Sequence, residues 1–296
     1  MTSLGIRAAV YALTRPARPP APAAPIHYRP MQHGDSEPIP TFDLAAYGGS
    51  AQVDLGVHAK SVLMVDLNSD RVLYMKNPHE HRPAASLTKL MTAMVALDVA
   101  DPGANVTITA GAAAAEPTRI GLTAGEQMTV QDLLYAALMN SANDAAEALG
   151  QGLVPRARFL AEMNRHAHNL HMLDTHYSTP SGLDDPANYS SAYDLAVLAA
   201  EVERNYPSLV QIAALRDQTI PATATHKAYY PHNINHILDV YPGADGLKTG
   251  FTGDARGCLI ATATRNGHRI LLVLMGSDIM FGDGVKLLDY GFAHDA

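Results

Sequence analysis

Three short stretches of this chain place reactive side chains at spacings that can do chemistry. In Ser86-Leu87-Thr88-Lys89 a hydroxyl and an amine stand three residues apart. On a helix that spacing sets both on one face, about one turn apart. A serine hydroxyl is a poor nucleophile until a base takes its proton. Lys89 can be that base if its pKa falls from about 10.4 toward roughly 7–8, a change of about 4 kcal/mol against the charged form. Burial and a second cation nearby both push that way. A helix start also supplies free backbone N–H groups that can steady an oxyanion.

The second stretch is Ser141-Ala142-Asn143 and the third is Lys248-Thr249-Gly250. Ser141 can pass a proton between Lys89 and a leaving amine, and the donor–acceptor pair of Asn143 can hold a substrate amide. Lys248 can bind a carboxylate, and the Thr249 hydroxyl can add a hydrogen bond. Gly250, lacking a side chain, lets a peptide backbone pair edge-on with the strand. Each stretch alone is a common pattern. The first reads equally as a helix cap with a solvated lysine, the second as a cap at Ser141 or Asn143, the third as an edge strand guarded by a lysine. Together they gain weight: each occurs once, in this order, 55 and 107 residues apart.

The surrounding sequence predicts the elements that must position them. Residues 61–66 and 71–75 are apolar runs joined by Leu67-Asn-Ser-Asp70, a β-hairpin signal. Apolar residues recur at Leu87, Leu90, Met91, Met94 and Val95, a helical spacing ended by Asp101-Pro102-Gly103. A second helix is predicted from Thr129, broken at Asn140-Ser141 and followed by a short helix to Gly150. A third spans about residues 155–170. Ser191 opens a fourth, with Asp194 as its capping-box partner. Residues 245–252, 258–264 and 269–275 read as strands, and 285–292 as a closing helix. Lys248 and Thr249 project to opposite faces of a regular strand, so either a bulge or twist brings both to one cleft or one of them acts through its backbone. Strands at both ends with helices between predict an α/β protein of α+β type, its mainly antiparallel sheet flanked by helices around an inserted all-helical region.

Composition narrows the function classes. The 296 residues are 47% hydrophobic, enough for one large core, and the formal charge is −8. No basic tract or aromatic–basic interleaving points to nucleic acid. The one cysteine, Cys258, sits in an apolar run and reads as a buried structural thiol; it excludes a disulfide framework. His166, His168, His171 and His176 lack a His-Glu-x-x-His pattern, so no metal is assigned. No apolar stretch reaches the roughly 20 residues of a membrane span, and membrane association is not evident. Eight of nineteen prolines fall between Pro16 and Pro40, so residues 1–50 read as a flexible leader or linker and 51–296 as the catalytic domain, with no extra C-terminal domain. The first 30 residues hold four arginines and no acid, but the apolar patch after Arg7 is short for a signal peptide.

Beyond the trio, Pro83 to Ala93, Ser141-Ala-Asn-Asp-Ala-Ala146, Ser181-Gly-Leu-Asp-Asp-Pro186, Tyr189-Ser-Ser191, Asp245 to Thr252 and Leu287-Leu-Asp-Tyr-Gly-Phe292 resemble the low-molecular-mass penicillin-binding proteins, the serine-type D-alanyl-D-alanine carboxypeptidases. The resemblance covers roughly residues 55–293. It implies a β-lactamase/DD-peptidase-like fold and an acyl-enzyme on Ser86, with Lys89 as base. It implies a proton relay through Ser141 and Asn143, and a carboxylate held by Lys248 and Thr249. Gly250 lines the substrate, and the N–H groups of Ser86 and Phe251 form the oxyanion hole. The implied substrate is a peptidoglycan stem peptide ending in D-Ala-D-Ala, with β-lactams as covalent inhibitors and no metal or organic cofactor. The implied location is periplasmic or otherwise extracytoplasmic.

Two positions depart from the family pattern. Arg256 replaces a small residue after the third motif, and Met280 stands where many relatives carry an arginine, so a second carboxylate anchor is missing. The alternatives are a DD-endopeptidase acting on cross-links, a transfer reaction, a serine β-lactamase and a non-enzymatic sensor of the same fold. Asp184 and Asp185 stand in the middle segment where a class A β-lactamase needs its glutamate, which favours the peptidase. The intact motif set argues against the sensor.

Overall fold

In the computed structural model, residues 38–47 and 53–294 are described. Five strands form one antiparallel sheet: β1 (Ser61–Asp66), β2 (Arg71–Lys76), β3 (Ala244–Thr252), β4 (Arg256–Arg265) and β5 (His268–Ser277). Their spatial order is β2-β1-β5-β4-β3, so strands from the two ends of the chain meet at the β1–β5 ladder, where Leu63 faces Val273. The strand carrying Lys248 is an edge.

The strand sequences explain this placement. β1, β4 and β5 are continuous apolar runs rather than apolar–polar alternations, which suits strands covered on both faces. Val62, Met64, Leu259, Ala261, Leu272 and Leu274 pack in one cluster with Leu287 and Leu288 of the last helix, α7 (Met280–His294). The alternate residues Leu63, Val65, Ile260, Leu271 and Val273 join the main core with Leu195 and Ala199 of α5 (Ala192–Asn205).

The helical region lies between β2 and β3. It contains α1 (Thr88–Val99), α2 (Val130–Met139), α3 (Asn143–Gly152) and α4 (Arg156–Asn169), then α5 and α6 (Pro207–Ala214). Every residue of α1 from Thr88 to Leu97 is buried. A helix apolar all round belongs in a core, and this one carries Lys89 into it. Thr129 caps α2 by accepting the Asp132 N–H.

The α+β architecture, the hairpin, the three C-terminal strands and the helices opening after Thr129 and Ser191 agree with expectation. Several details differ. Ser86 lies in a 3-10 turn, Ala85–Leu87, just before α1 rather than in its first turn. α7 starts five residues earlier than its apolar pattern implies, because Gly282 and Asp283 belong to it; the Asp283 carboxylate accepts the N–H groups of His58 and Ala59. Ser191 caps α5 as predicted, but Asp194 does not close a capping box. Its carboxylate accepts the Asp174 N–H and the Thr175 hydroxyl, and burial raises it to about 6. Most of the leader at 1–50, including the candidate signal segment, lies outside the described residues. Residues 38–47 pack on the domain, with Phe42 buried edge-on against Tyr193.

One close approach fixes the nucleophile turn. Gly182 has φ +77, and a Cβ there would sit 1.9 Å from the Ala85 carbonyl oxygen. Gly182→Ala should lower stability by more than the about 1–3 kcal/mol of backbone strain alone. Urea unfolding checks this; an unchanged midpoint would contradict the packing described.

Candidate active site

The site sits where the turn before α1, the α2–α3 junction and the edge strand β3 converge. Lys89 is fully buried, and its Nζ lies 2.8 Å from Ser86 Oγ, 2.7 Å from Asn143 Oδ1 and 2.6 Å from the Ser181 carbonyl oxygen. The last two are pure acceptors. A neutral amine has two N–H bonds and one lone pair. With both N–H groups given to Asn143 and Ser181, the lone pair is left for the Ser86 hydroxyl. The surroundings favour that neutral form: burial, then the nearby Lys248, hold Lys89 well below the ordinary lysine range, while Glu147 and Asp144 oppose them.

Lys248 is also buried, and its Nζ donates to Ser141 Oγ at 2.9 Å and to the Thr249 carbonyl at 2.8 Å. Burial pushes it down to about 7. The only ladder irregularity in β3 lies upstream, between Ala244 and Gly246. No bulge therefore separates Lys248 from Thr249, and it is the Thr249 backbone that meets the lysine.

Neither Ser141 nor Asn143 caps α3. The cap position is Ala142, with no side-chain bond. Ser141 is held at φ 56, a left-handed backbone costly for a non-glycine residue, and points to Lys248. Asn143 spends one lone pair on Lys89 and one N–H on the Glu116 carbonyl, at 3.0 Å. Its amide keeps one donor and one acceptor site for a substrate. Asp144 clamps the same loop by accepting the N–H groups of Ile120, Gly121 and Leu122.

Gly250 permits the closest approach of β3 to the nucleophile: a Cβ there would lie 3.0 Å from the Ser86 nitrogen. Phe251, next along the strand, is exposed. On the rim, Arg256 is tied to Asp278 at 2.6 Å, and Met280 packs over Gly257. Phe251, Ile279, Met280 and Phe281 line a shallow cavity of about 270 Å³ there, together with Ser277 and Asp278. Outside the site, Cys258 is buried with its thiol pushed up to about 11, and His166 pairs with Asp98 at 3.1 Å.

The structure thus gathers Ser86, Lys89, Ser141, Asn143, Lys248, Thr249 and Gly250 in one place, with Phe251 at its edge. Sequence reasoning missed the Ser181 carbonyl, the Glu116 carbonyl and Glu147. Only Glu147 left a readable signal, since it follows Asn143 by four residues on the same helix face.

Fold and site together define a serine acyl-enzyme peptidase of the penicillin-binding fold. Residues 49–279 match the family described as D-alanyl-D-alanine carboxypeptidase. The chain is 32% identical over 265 residues to the D-alanyl-D-alanine carboxypeptidase DacF of Bacillus subtilis, covering 86% of this chain and 68% of that protein. It is 36% identical over 234 residues to a D-alanyl-D-alanine endopeptidase of Pseudomonas aeruginosa, covering 77% and 75%. The crystal structure of a D-alanyl-D-alanine carboxypeptidase from Mycobacterium tuberculosis superposes with a TM-score of 0.74 at 32% identity, covering 89% and 96%. The chain belongs to the serine-type D-alanyl-D-alanine carboxypeptidase family. Members act on peptidoglycan stem peptides and bind β-lactams.

If Lys89 is neutral through burial, acylation by benzylpenicillin should reach its plateau by about pH 9, below the ordinary lysine range. Only the unprotonated amine accepts the Ser86 proton, so the rate falls as pH drops through the lysine's folded-state pKa. A rate still rising in proportion to hydroxide at pH 10 would contradict this; stopped-flow acylation measures it.

Proposed function

We propose that this chain removes the terminal D-alanine from stem peptides ending in D-Ala-D-Ala, through an ester on Ser86. The observation that carries this reading is the three-way bonding of Lys89 Nζ to Ser86, Asn143 and Ser181. As Ser86 Oγ attacks the carbonyl of the penultimate residue, neutral Lys89 takes the hydroxyl proton. The backbone N–H groups of Ser86 and Phe251 stabilise the oxyanion. Lys248 and Thr249 hold the terminal carboxylate. Collapse of the intermediate breaks the C–N bond, and the proton that Lys89 took passes through Ser141, held by Lys248, to the departing amine, which returns Lys89 to its neutral form. D-Alanine leaves. Water then attacks the ester, Lys89 accepts its proton, and the shortened peptide departs as Ser86 regains its hydrogen.

A second reading is an endopeptidase, favoured by the 36% identity to the Pseudomonas aeruginosa endopeptidase. The bond broken has the same chemistry, but the leaving amine belongs to a cross-linked peptide. Either substrate lies outside the cytoplasmic membrane, which places the working enzyme in the periplasm or an equivalent extracytoplasmic space. Among the described residues, no helix is long and apolar enough to cross a membrane.

Intact-mass analysis should show one benzylpenicillin added to the chain and none added to Ser86→Ala. An unmodified folded wild type would overturn the proposal. Lys89→Ala should lower D-alanine release from an acetylated L-Lys-D-Ala-D-Ala peptide by at least about a hundredfold. Release near the wild-type rate would rule out the lysine base. A purified cross-linked dimer, cleaved faster than the tripeptide, would favour the endopeptidase.

A further inference from the structure

Glu147 is a buried acid that the mechanism above does not use. It lies on α3, four residues after Asn143, and is 7% exposed. Its Oε1 accepts the Ser181 hydroxyl at 2.8 Å. Its Oε2 accepts the Gln151 amide at 3.0 Å and lies 3.5 Å from the Nε of Arg156, whose side chain is 43% exposed. All three partners are donors, as an acceptor-only carboxylate requires. The Ser181 carbonyl, in turn, accepts from Lys89. An unbroken path therefore runs from Glu147 through Ser181 to Lys89 and on to Ser86.

The charged groups around Lys89 are few. Lys248 faces it from β3, and Asp144 and Glu147 from α3. Its own helix is apolar or threonine-bearing through this stretch, and residues 178–182 bring no charge. Asp144 is saturated by the N–H groups of Ile120, Gly121, Leu122 and Ala145, so it serves the loop. Among the described residues, Glu147 has the half-exposed Arg156 as its formal counter-ion. Glu147, with Asp144, opposes burial and Lys248 at Lys89, so without its charge the amine is a weaker base toward the Ser86 proton.

We infer that Glu147 is a positioning residue that fixes the Ser181 carbonyl against Lys89 and balances Lys248, so that Lys89 stays basic enough to accept the nucleophile's proton. This rests on the acyl-enzyme reading of Ser86, and two readouts keep the ideas separable. The first is the pH dependence of benzylpenicillin acylation. The second is the titration of Lys89 followed by NMR of chain labelled with ¹³C at lysine Cε, which does not depend on catalysis.

Glu147→Gln keeps the size and an acceptor for Ser181 but removes the charge. Its acid-limb midpoint and its Lys89 titration should both move down by roughly one pH unit. Glu147→Asp keeps the charge while withdrawing it from Ser181. It should hold the midpoint near wild type and lower the plateau rate. Folded Glu147→Gln with both midpoints unmoved would overturn the inference. If the wild type is not acylated at all, the functional proposal falls, and the shift of the Lys89 titration still decides the role of Glu147.

Discussion

The rest of the site depends on one unfavourable act: placing the amine of Lys89 in a core where a charge is poorly solvated. A buried ammonium is expensive, and burial together with Lys248 pushes Lys89 well below the ordinary lysine range, toward the neutral amine. The nearest side-chain cation, Lys248, raises the penalty. The groups bonded to Lys89 are neutral oxygens. What remains is an amine whose geometry leaves a lone pair on Ser86. Fold serves this arrangement directly. Helix α1 is buried from Thr88 to Leu97, so its one lysine has no route to solvent, and its apolar residues lie in the main core among the surrounding helices.

The reactive groups also sit on strained backbone. Ala85, beside the nucleophile, has φ 47, and Ser141 has φ 56. Left-handed conformations at residues with a Cβ cost about 1–3 kcal/mol each and persist only where the surroundings enforce them. Here the enforcing contacts are visible. Gly182 packs under the Ala85 carbonyl, Thr92 donates to the Pro180 carbonyl at 2.6 Å, and Asn188 ties the loop over Ser181 to Thr88 at 3.1 Å. The middle segment, which carries no side chain into the chemistry, locks the nucleophile turn and lends one carbonyl to the base.

Much of this was legible in the sequence because it rests on local pattern. Apolar periodicity located the hairpin, the buried helix and the three final strands. The spacing of Ser86 and Lys89 implied their contact. The parts that were not legible depend on contacts between distant residues. Asp194 has capping-box spacing yet turns to Thr175, since a tertiary donor outcompetes the local one. Ser141 and Asn143 have capping chemistry yet leave the helix uncapped, because two buried lysines claim them. Glu147 was hidden among ordinary helix formers until Ser181 was placed beside it. The rim carries both departures from the family pattern: Arg256 is spent on Asp278, and Met280 packs over Gly257.

The central claim is that Lys89 carries no proton to spare at working pH, and the most direct measurement is neutron diffraction from perdeuterated crystals at a pD of about 9, below the ordinary lysine range. The account predicts two deuterons on Lys89 Nζ, directed at Asn143 Oδ1 and the Ser181 carbonyl, with the Ser86 deuteron on its own oxygen and aimed at the amine. Three deuterons on Nζ, with one pointing at Ser86 Oγ, would contradict it.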